Sequence, residues 1–222
     1  MASRRTGAPK VSSEFAKLQL SATAVDLLLL RIVGSRLQVF LLQRTVEPCK
    51  NMYAVPGRFV RYDETLTQTA DMVLKQKCET GTTQVSYEQL HTFGNDLWRD
   101  ERIRTISVVY IAKILPTVEC KATLGKWFAV DAVPNLAFDH NKLLDFAVVH
   151  LQKQIRLGVL PFEFLPSEFT LTQMQESVEA ILQKSHDKRN FRKRILADGV
   201  LKKTSKRVVL GVARPAYLYS KK

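Results

Sequence analysis

"TQMQESVEAILQKSHDKRNFRKRILADG", residues 172–199, reads as two helices across a tight turn. Thr172 with Gln175 three residues on predicts a capped helix start, after which Met174, Val178, Ile181 and Leu182 recur at i, i+4, i+7 and i+8. That spacing gives one buried stripe. The turn "KSHDK" offers Asp187 as N-cap to a second helix running to Ala197, with Gly199 as its stop. The following "VLKKTSKRVVLGVARPAYLY", residues 200–219, predicts a β-hairpin. Helix, turn, helix and hairpin make a small winged helix-turn-helix unit, expected over 159–222.

Charge is concentrated in the same place. The chain has 34 Lys+Arg against 21 Asp+Glu, a formal +13, and from Ser185 onward twelve Lys/Arg face two Asp, leaving +10 in the last 38 residues. A basic field focused on one small domain is the footprint of a nucleic-acid binder, because each phosphate neutralised releases counterions. At about 100° per residue, Phe191, Ile195 and Leu196 are expected inward, which turns Arg189, Asn190, Lys193 and Arg194 toward a major groove. Arg and Lys match guanine edges and Asn matches adenine, while Lys188 and Arg192 on the flanks suit phosphates. Thr204, Lys206 and Arg207 on the wing are expected along the DNA backbone or minor groove. The bland alternative, a merely solvated basic face, lacks a reason for the partner helix, the capped turn and the basic wing.

Upstream, the Gly and two Pro of "RLGVLPFEFLP" (156–166) mark a linker, and a helix is expected over 140–155. Two β-rich runs, "AVDLLLLRI" and "LQVFLLQR", meet at Gly34-Ser35 as a hairpin; "RTISVVYIAKI" (104–114) predicts another strand. "VPGRF" reads as a loop and Thr65 to Lys77 as a helix. The order is α+β, with a first domain over 19–158 after a loose tail of residues 1–18. Asp26 and Arg31 interrupt the N-terminal apolar run, which is too short to span a bilayer. Cys49, Cys78 and Cys120 are far apart and odd in number, suggesting neither a disulfide frame nor a zinc site. A cytoplasmic setting is expected.

"PGRFVRYDETLTQTADMVLKQKCETG", residues 56–81, resembles a damaged Nudix box. That box is a Gly, five residues, a Glu, seven residues, then Arg-Glu-apolar-x-Glu-Glu-x-Gly; its glutamates hold the Mg²⁺ that polarises a pyrophosphate. With Glu64 as the first Glu and Leu74 at the apolar position, the helix carboxylates fall on Val73, Gln76 and Lys77, expected on one helix face. None of the three is a carboxylate, so no metal site and no enzyme activity are expected. A register anchored on Gly81 recovers only Glu79. Arg58 stands where the loop has its second Gly; its charge repels Mg²⁺ and suits a phosphate.

Taken across both domains, "AVDLLLL", "EPCKNMYAVPGRFVRYDETL", "HTFGNDLWRDERIRTISVVYIA", "WFAVDAVPNLAFDHNKLLDFA", "DKRNFRK" and "RPAYLY" resemble the Nudix-related transcriptional regulators, the NrtR family. The resemblance runs from about residue 22 to the C-terminus. It implies a Nudix-like α/β/α sandwich with a mixed sheet, followed by a winged helix. It also implies a homodimeric repressor, often of NAD-metabolism genes, that binds a double-stranded operator and responds to ADP-ribose or a related nucleotide or sugar. By position it implicates Arg44, Phe59, Arg99, Asp100, Phe138 and His140, beside Arg58, in the effector pocket. Each has a structural alternative: core packing for Phe59 and Phe138, helix capping for Asp139-His140, pairing with Glu47 for Arg44. Leu97-Trp98 before Arg99-Asp100 suggest a reshaped pocket mouth. The competing enzyme reading is a divergent Nudix hydrolase acting on a nucleoside diphosphate derivative.

Overall fold

The computed structural model describes residues 20–80, 85–209 and 215–222. The expected loose tail of residues 1–18, Gly81 and residues 210–214 of the expected hairpin lie outside them. The scaffold is one mixed sheet ordered β3-β2-β1-β6-β5, with β4 paired to β1 and β7 to β2. The strands are β1 (Ala22–Val33), β2 (Arg36–Gln43), β3 (Tyr53–Ala54), β4 (Gly57–Phe59), β5 (Tyr87–Phe93), β6 (Thr105–Ile114) and β7 (Gly125–Ala129). The expected hairpin forms, with Leu30 to Val33 antiparallel to Arg36 to Val39 across Gly34, whose φ is +59°. β1 and β6 run parallel over ten residue pairs, from Ala22↔Thr105 to Arg31↔Ile114.

The largely apolar text of β1, interrupted by Asp26 and Arg31, follows from cover on both faces. Val25, Leu27 and Leu29 point toward α1 (Leu66–Val73) with Ala70 and Val73. Leu28 and Leu30 point toward α2 (His140–Arg156) with Leu143, Leu144, Ala147 and Leu151. This is an α/β/α sandwich. α1 starts in a capping box, Thr65 with Gln68, and passes at Leu74 into a π-helical turn, Leu74–Cys78.

The second unit holds α3 (Leu171–Leu182), α4 (Lys188–Ala197) and a two-stranded wing, β8 (Leu201–Val208) and β9 (Ala216–Lys221). Its core is Phe169, Met174, Val178, Phe191, Ile195, Leu201 and Tyr219. α3 also faces the other way: Ala180 and Ile181 belong to the same apolar cluster as Leu144 and Leu151 of α2. Gln152 Nε2 donates to the Ile181 carbonyl at 3.1 Å.

Several expectations need correction. "VPGRF" is not all loop, because Gly57 to Phe59 pair with β1 as β4. α3 is capped by Thr170 with Gln173 in a full capping box, not by Thr172 with Gln175. Both pairs carry the same local signal; the bridge between Phe169 and Tyr219 fixes where the chain enters the helix. Leu196 is 47% exposed rather than inward. Stepping 100° per residue puts it about 120° from the midpoint between Phe191 and Ile195. Val73, Gln76 and Lys77 do not share a face: Val73 is fully buried in the α1 core, and Gln76 and Lys77 are exposed. The wider π-turn after Val73 breaks the i, i+3, i+4 alignment that an α-helix would keep.

Candidate ligand cleft and nucleic-acid interface

The first half of β1, the loop after β2, the β4 strand and the loops before β6 and α2 enclose a cleft of about 310 Å³. Arg44, Arg58, Phe59, Arg99, Asp100, Phe138 and His140 all line it, together with Asp26, Lys77 and Arg102. A second hollow of about 330 Å³ shares Arg44, Gly57 and Lys77 and adds Gln76 and Glu79. Leu97 and Trp98 are absent from the lining of both, and Trp98 is 85% exposed, so they do not form the mouth.

The walls are held by ion pairs. Arg99 grips Asp139 through two bonds, Nε to Oδ2 at 3.0 Å and Nη2 to Oδ1 at 2.8 Å. Asp139 is the N-cap residue of α2 but makes no capping bond; its carboxylate is spent on Arg99. Arg102 makes the same two-pronged contact with Asp100, at 2.9 and 2.7 Å. Burial raises the Asp100 pKa, but the hydrogen bonds and charge of Arg102 outweigh it and hold the carboxyl below its usual range. The Arg102 guanidinium lies between two rings, 5.0 Å from Phe138 and 5.2 Å from Phe59. Arg44 sits 4.7 Å over Phe138 and donates to the carbonyls of Pro48 and Val46 rather than to Glu47.

His140 is buried, and its Nδ1 accepts the Val55 N–H at 2.9 Å, so the proton of the neutral ring sits on Nε2. Burial lowers its pKa, against the pull of Asp26 and Asp139, and the ring is neutral at physiological pH. Asp26, on the floor of the cleft, accepts from Ser107 Oγ. Sequence reading passed over Asp26 and Arg102. A lone carboxylate inside "AVDLLLL", whose neighbours are all buried, was the available signal for Asp26; an Arg two residues after Asp100 was the signal for Arg102.

The box register can be read from the backbone. Glu79 closes the π-turn at φ +50°, and this is the position of the box's closing Gly when Glu64 is its first Glu. Both carboxylate oxygens of Glu64 are engaged. Its Oε1 takes Arg58 Nη2 at 3.2 Å and its Oε2 takes Thr69 Oγ1 at 3.2 Å. Among the described residues no three His, Cys, Asp or Glu side chains gather as a metal site would need.

On α4, Arg189, Asn190, Lys193 and Arg194 are all exposed, opposite buried Phe191 and Ile195. Asp187 caps the helix, accepting the Asn190 N–H at 2.8 Å. Lys188 and Arg192 line a hollow between α3 and the wing with Thr172, Glu176 and Tyr217; Arg192 is half-buried and donates to Thr172 at 3.4 Å. On the wing, Lys203 and Arg207 cover the Tyr217 ring at 3.5 and 4.2 Å. Lys206 pairs with Glu168 at 2.8 Å, and the Thr204 hydroxyl is given to the Leu218 carbonyl.

A Nudix-like domain with its box rewired, packed through α2 onto a winged helix with an exposed basic helix, is the architecture of a two-domain regulator. Residues 161–220 match the NrtR DNA-binding winged helix domain. The ADPR responsive transcriptional repressor NtrR of Acinetobacter baylyi is 33% identical over 203 residues, covering 88% of this chain and 80% of that protein. The crystal structure of Shewanella oneidensis NrtR complexed with a 27mer DNA superposes with TM-score 0.73 at 30% identity, over 90% of this chain and 93% of that one. The NUDIX domain of the same protein complexed with ADP ribose matches 61% of this chain at 30% identity, TM-score 0.52, and 92% of that structure is covered. An ADP-ribose pyrophosphatase of Methanocaldococcus jannaschii is 31% identical over 127 residues, 55% of this chain and 70% of that enzyme. The chain belongs to the NrtR family of Nudix-related transcriptional regulators.

Proposed function

We propose that this chain is a homodimeric, cytoplasmic DNA-binding transcriptional repressor whose Nudix-like domain senses ADP-ribose and thereby releases an operator controlling NAD metabolism. The observation that carries the reading is the placement of α2. Its first residues, Asp139 and His140, belong to the cleft, and its later turns pack against α3 and bond the Ile181 carbonyl through Gln152. A ligand that shifts Asp139 moves a rigid rod about 25 Å long that ends on the DNA-binding unit.

In the cleft, Arg44, Arg58 and Arg102 suit a diphosphate, and Phe59 and Phe138 suit a base or ribose face. Arg99 and Asp100 hold the wall, and His140 locks Val55, in the connection between β3 and β4, to α2. Arg189, Asn190, Lys193 and Arg194 read base edges, Lys188 and Arg192 anchor phosphates, and Thr204, Lys206 and Arg207 follow the backbone. Operator affinity depends on two winged helices docking together, so a change in their separation is enough to release DNA. Hydrolysis is disfavoured, since Glu64 is tied to Arg58 and Thr69, and Val73 is buried where a carboxylate would be needed. Among the described residues no helix is long and apolar enough to cross a membrane.

A mobility-shift assay at stated salt, using the DNA upstream of the chain's own gene, tests the reading. Specific binding that weakens with ADP-ribose supports it. Affinity no greater than for random DNA of equal length, or metal-dependent turnover of ADP-ribose abolished by Glu64→Gln, overturns it.

A further inference from the structure

The fold that carries a Nudix box implies a divalent cation, and the residues present do not fit one. Three features of the cleft decide this. Of the box positions that should hold carboxylates, Val73 is buried in the core, Gln76 is an amide and Lys77 brings a positive charge to the cleft. Glu64 has both oxygens engaged, by Arg58 and by the Thr69 hydroxyl. Arg44 and Arg102 add positive charge to the same walls. A hard cation needs several oxygen ligands; of the cleft carboxylates Asp139 and Asp100 are held by Arg99 and Arg102 and Asp26 takes the Ser107 hydroxyl, so a cation here would face five basic side chains, Arg44, Arg58, Lys77, Arg99 and Arg102.

Arg58 answers both halves of the mismatch. It stands at the position of the box's opening Gly, on β4, opposite Val25 of β1. The backbone there cannot drift: a Cβ on Gly57 would lie 2.1 Å from Asp26 Oδ1 and 2.9 Å from the Val25 carbonyl, so the strand is pressed directly onto β1. The side chain is 13% exposed, and Nη2 is fixed on Glu64 at 3.2 Å. The other terminal nitrogen, Nη1, is buried and has no partner. A buried guanidinium N–H without an acceptor is costly, whereas the same group facing an anion makes a strong charge-assisted bond.

We infer that Arg58 takes the place of the metal ion: with Glu64 holding one side of the guanidinium, Nη1 donates to a diphosphate oxygen of the ligand, and binding requires no divalent cation. The inference rests on the same cleft being the effector site. The fork geometry of arginine lets it bridge the protein carboxylate and a ligand oxygen at once, which a lysine ammonium on a flexible stem does less well. Lys77, facing the same space from the π-turn, adds charge without competing for Glu64.

The test is isothermal titration of the full chain with inorganic pyrophosphate and with ADP-ribose, each in excess EDTA and in MgCl₂. Wild type is expected to bind both in EDTA, with no tightening by Mg²⁺. Arg58→Ala is expected to weaken both about 10- to 100-fold, the loss of one charge-assisted hydrogen bond. Should Arg58→Ala fail to fold, Arg58→Lys, which keeps the Glu64 pairing and loses the fork, is expected to weaken both several-fold. Binding abolished by EDTA, binding undiminished in either folded variant, or no binding of either probe to wild type overturns the inference. Arg58-dependent binding of pyrophosphate with none of ADP-ribose supports it while removing ADP-ribose as the effector. ADP-ribose bound equally by wild type and Arg58→Ala leaves the effector standing and overturns the role of Arg58.

Discussion

Replacing Arg99 by methionine is expected to be among the most destabilising single changes around the cleft. The Arg99 side chain is 4% exposed and Asp139 is 9% exposed, and the pair shares two bonds of 2.8 and 3.0 Å. Removing only the cation leaves a carboxylate out of water with no partner, a situation that costs about 3–5 kcal/mol. Asp139 lies at the N-terminus of α2, whose dipole favours a negative charge by about 0.3–1 kcal/mol and offsets part of that loss. A net destabilisation of about 2–4 kcal/mol follows, and with a urea slope of about 2–3 kcal/mol/M the unfolding midpoint should fall by roughly 1 M. Adding Asp139→Asn to Arg99→Met removes the orphaned charge, so the double variant should regain part of the loss. The assay is urea unfolding of wild type, both single variants and the double at one pH near neutrality. A midpoint for Arg99→Met within experimental error of wild type, or a double variant less stable than Arg99→Met, would refute the reasoning.

Because burial depresses the pKa of His140, the unfolded chain takes up a proton that the folded chain refuses, so stability falls as pH drops below about 6.5. By pH 5.5 the contribution is at most about 1.4 kcal/mol, and His140→Asn, which keeps an acceptor for the Val55 N–H, should flatten that limb in thermal melts. Gly57→Ala should cost about 1–3 kcal/mol in urea unfolding by forcing β4 away from β1, and should weaken ligand binding in the same titration. Asp187→Ala removes the cap of α4 and should lower stability by about 1 kcal/mol, with weaker DNA binding in a mobility shift although the variant removes a negative charge.

How much of this was readable from residues alone varied with the physics of each element. The run Ala24 to Ile32 announced itself because both faces of β1 are covered, and α2 because Leu143, Leu144, Ala147 and Leu151 form one stripe. β5, "YEQLHTF", did not: it lies at the sheet edge, its side chains are only partly covered, and so no clean alternation was selected. The start of α3 was ambiguous in principle, since Thr170-Gln173 and Thr172-Gln175 are equivalent local signals and the choice belongs to the long-range Phe169–Tyr219 bridge. Nothing in "LKQKC" foretells a π-turn, and with it went the assumption that Val73, Gln76 and Lys77 point together. In the cleft, the six residues suggested by family resemblance and Arg58, suggested by its departure from the box, line one space, yet the Arg58–Glu64 pair that rewires the box appears only once the loop is folded.

The central claim is that a ligand in the cleft and DNA on α4 communicate. If they do, thermodynamic reciprocity requires each to change the affinity of the other by the same factor. Titrating ADP-ribose into the free protein and into its operator complex measures that factor directly. Weaker ADP-ribose binding to the complex, by the same ratio that ADP-ribose weakens operator binding, is the predicted result; equal affinity for free and DNA-bound protein would contradict the account.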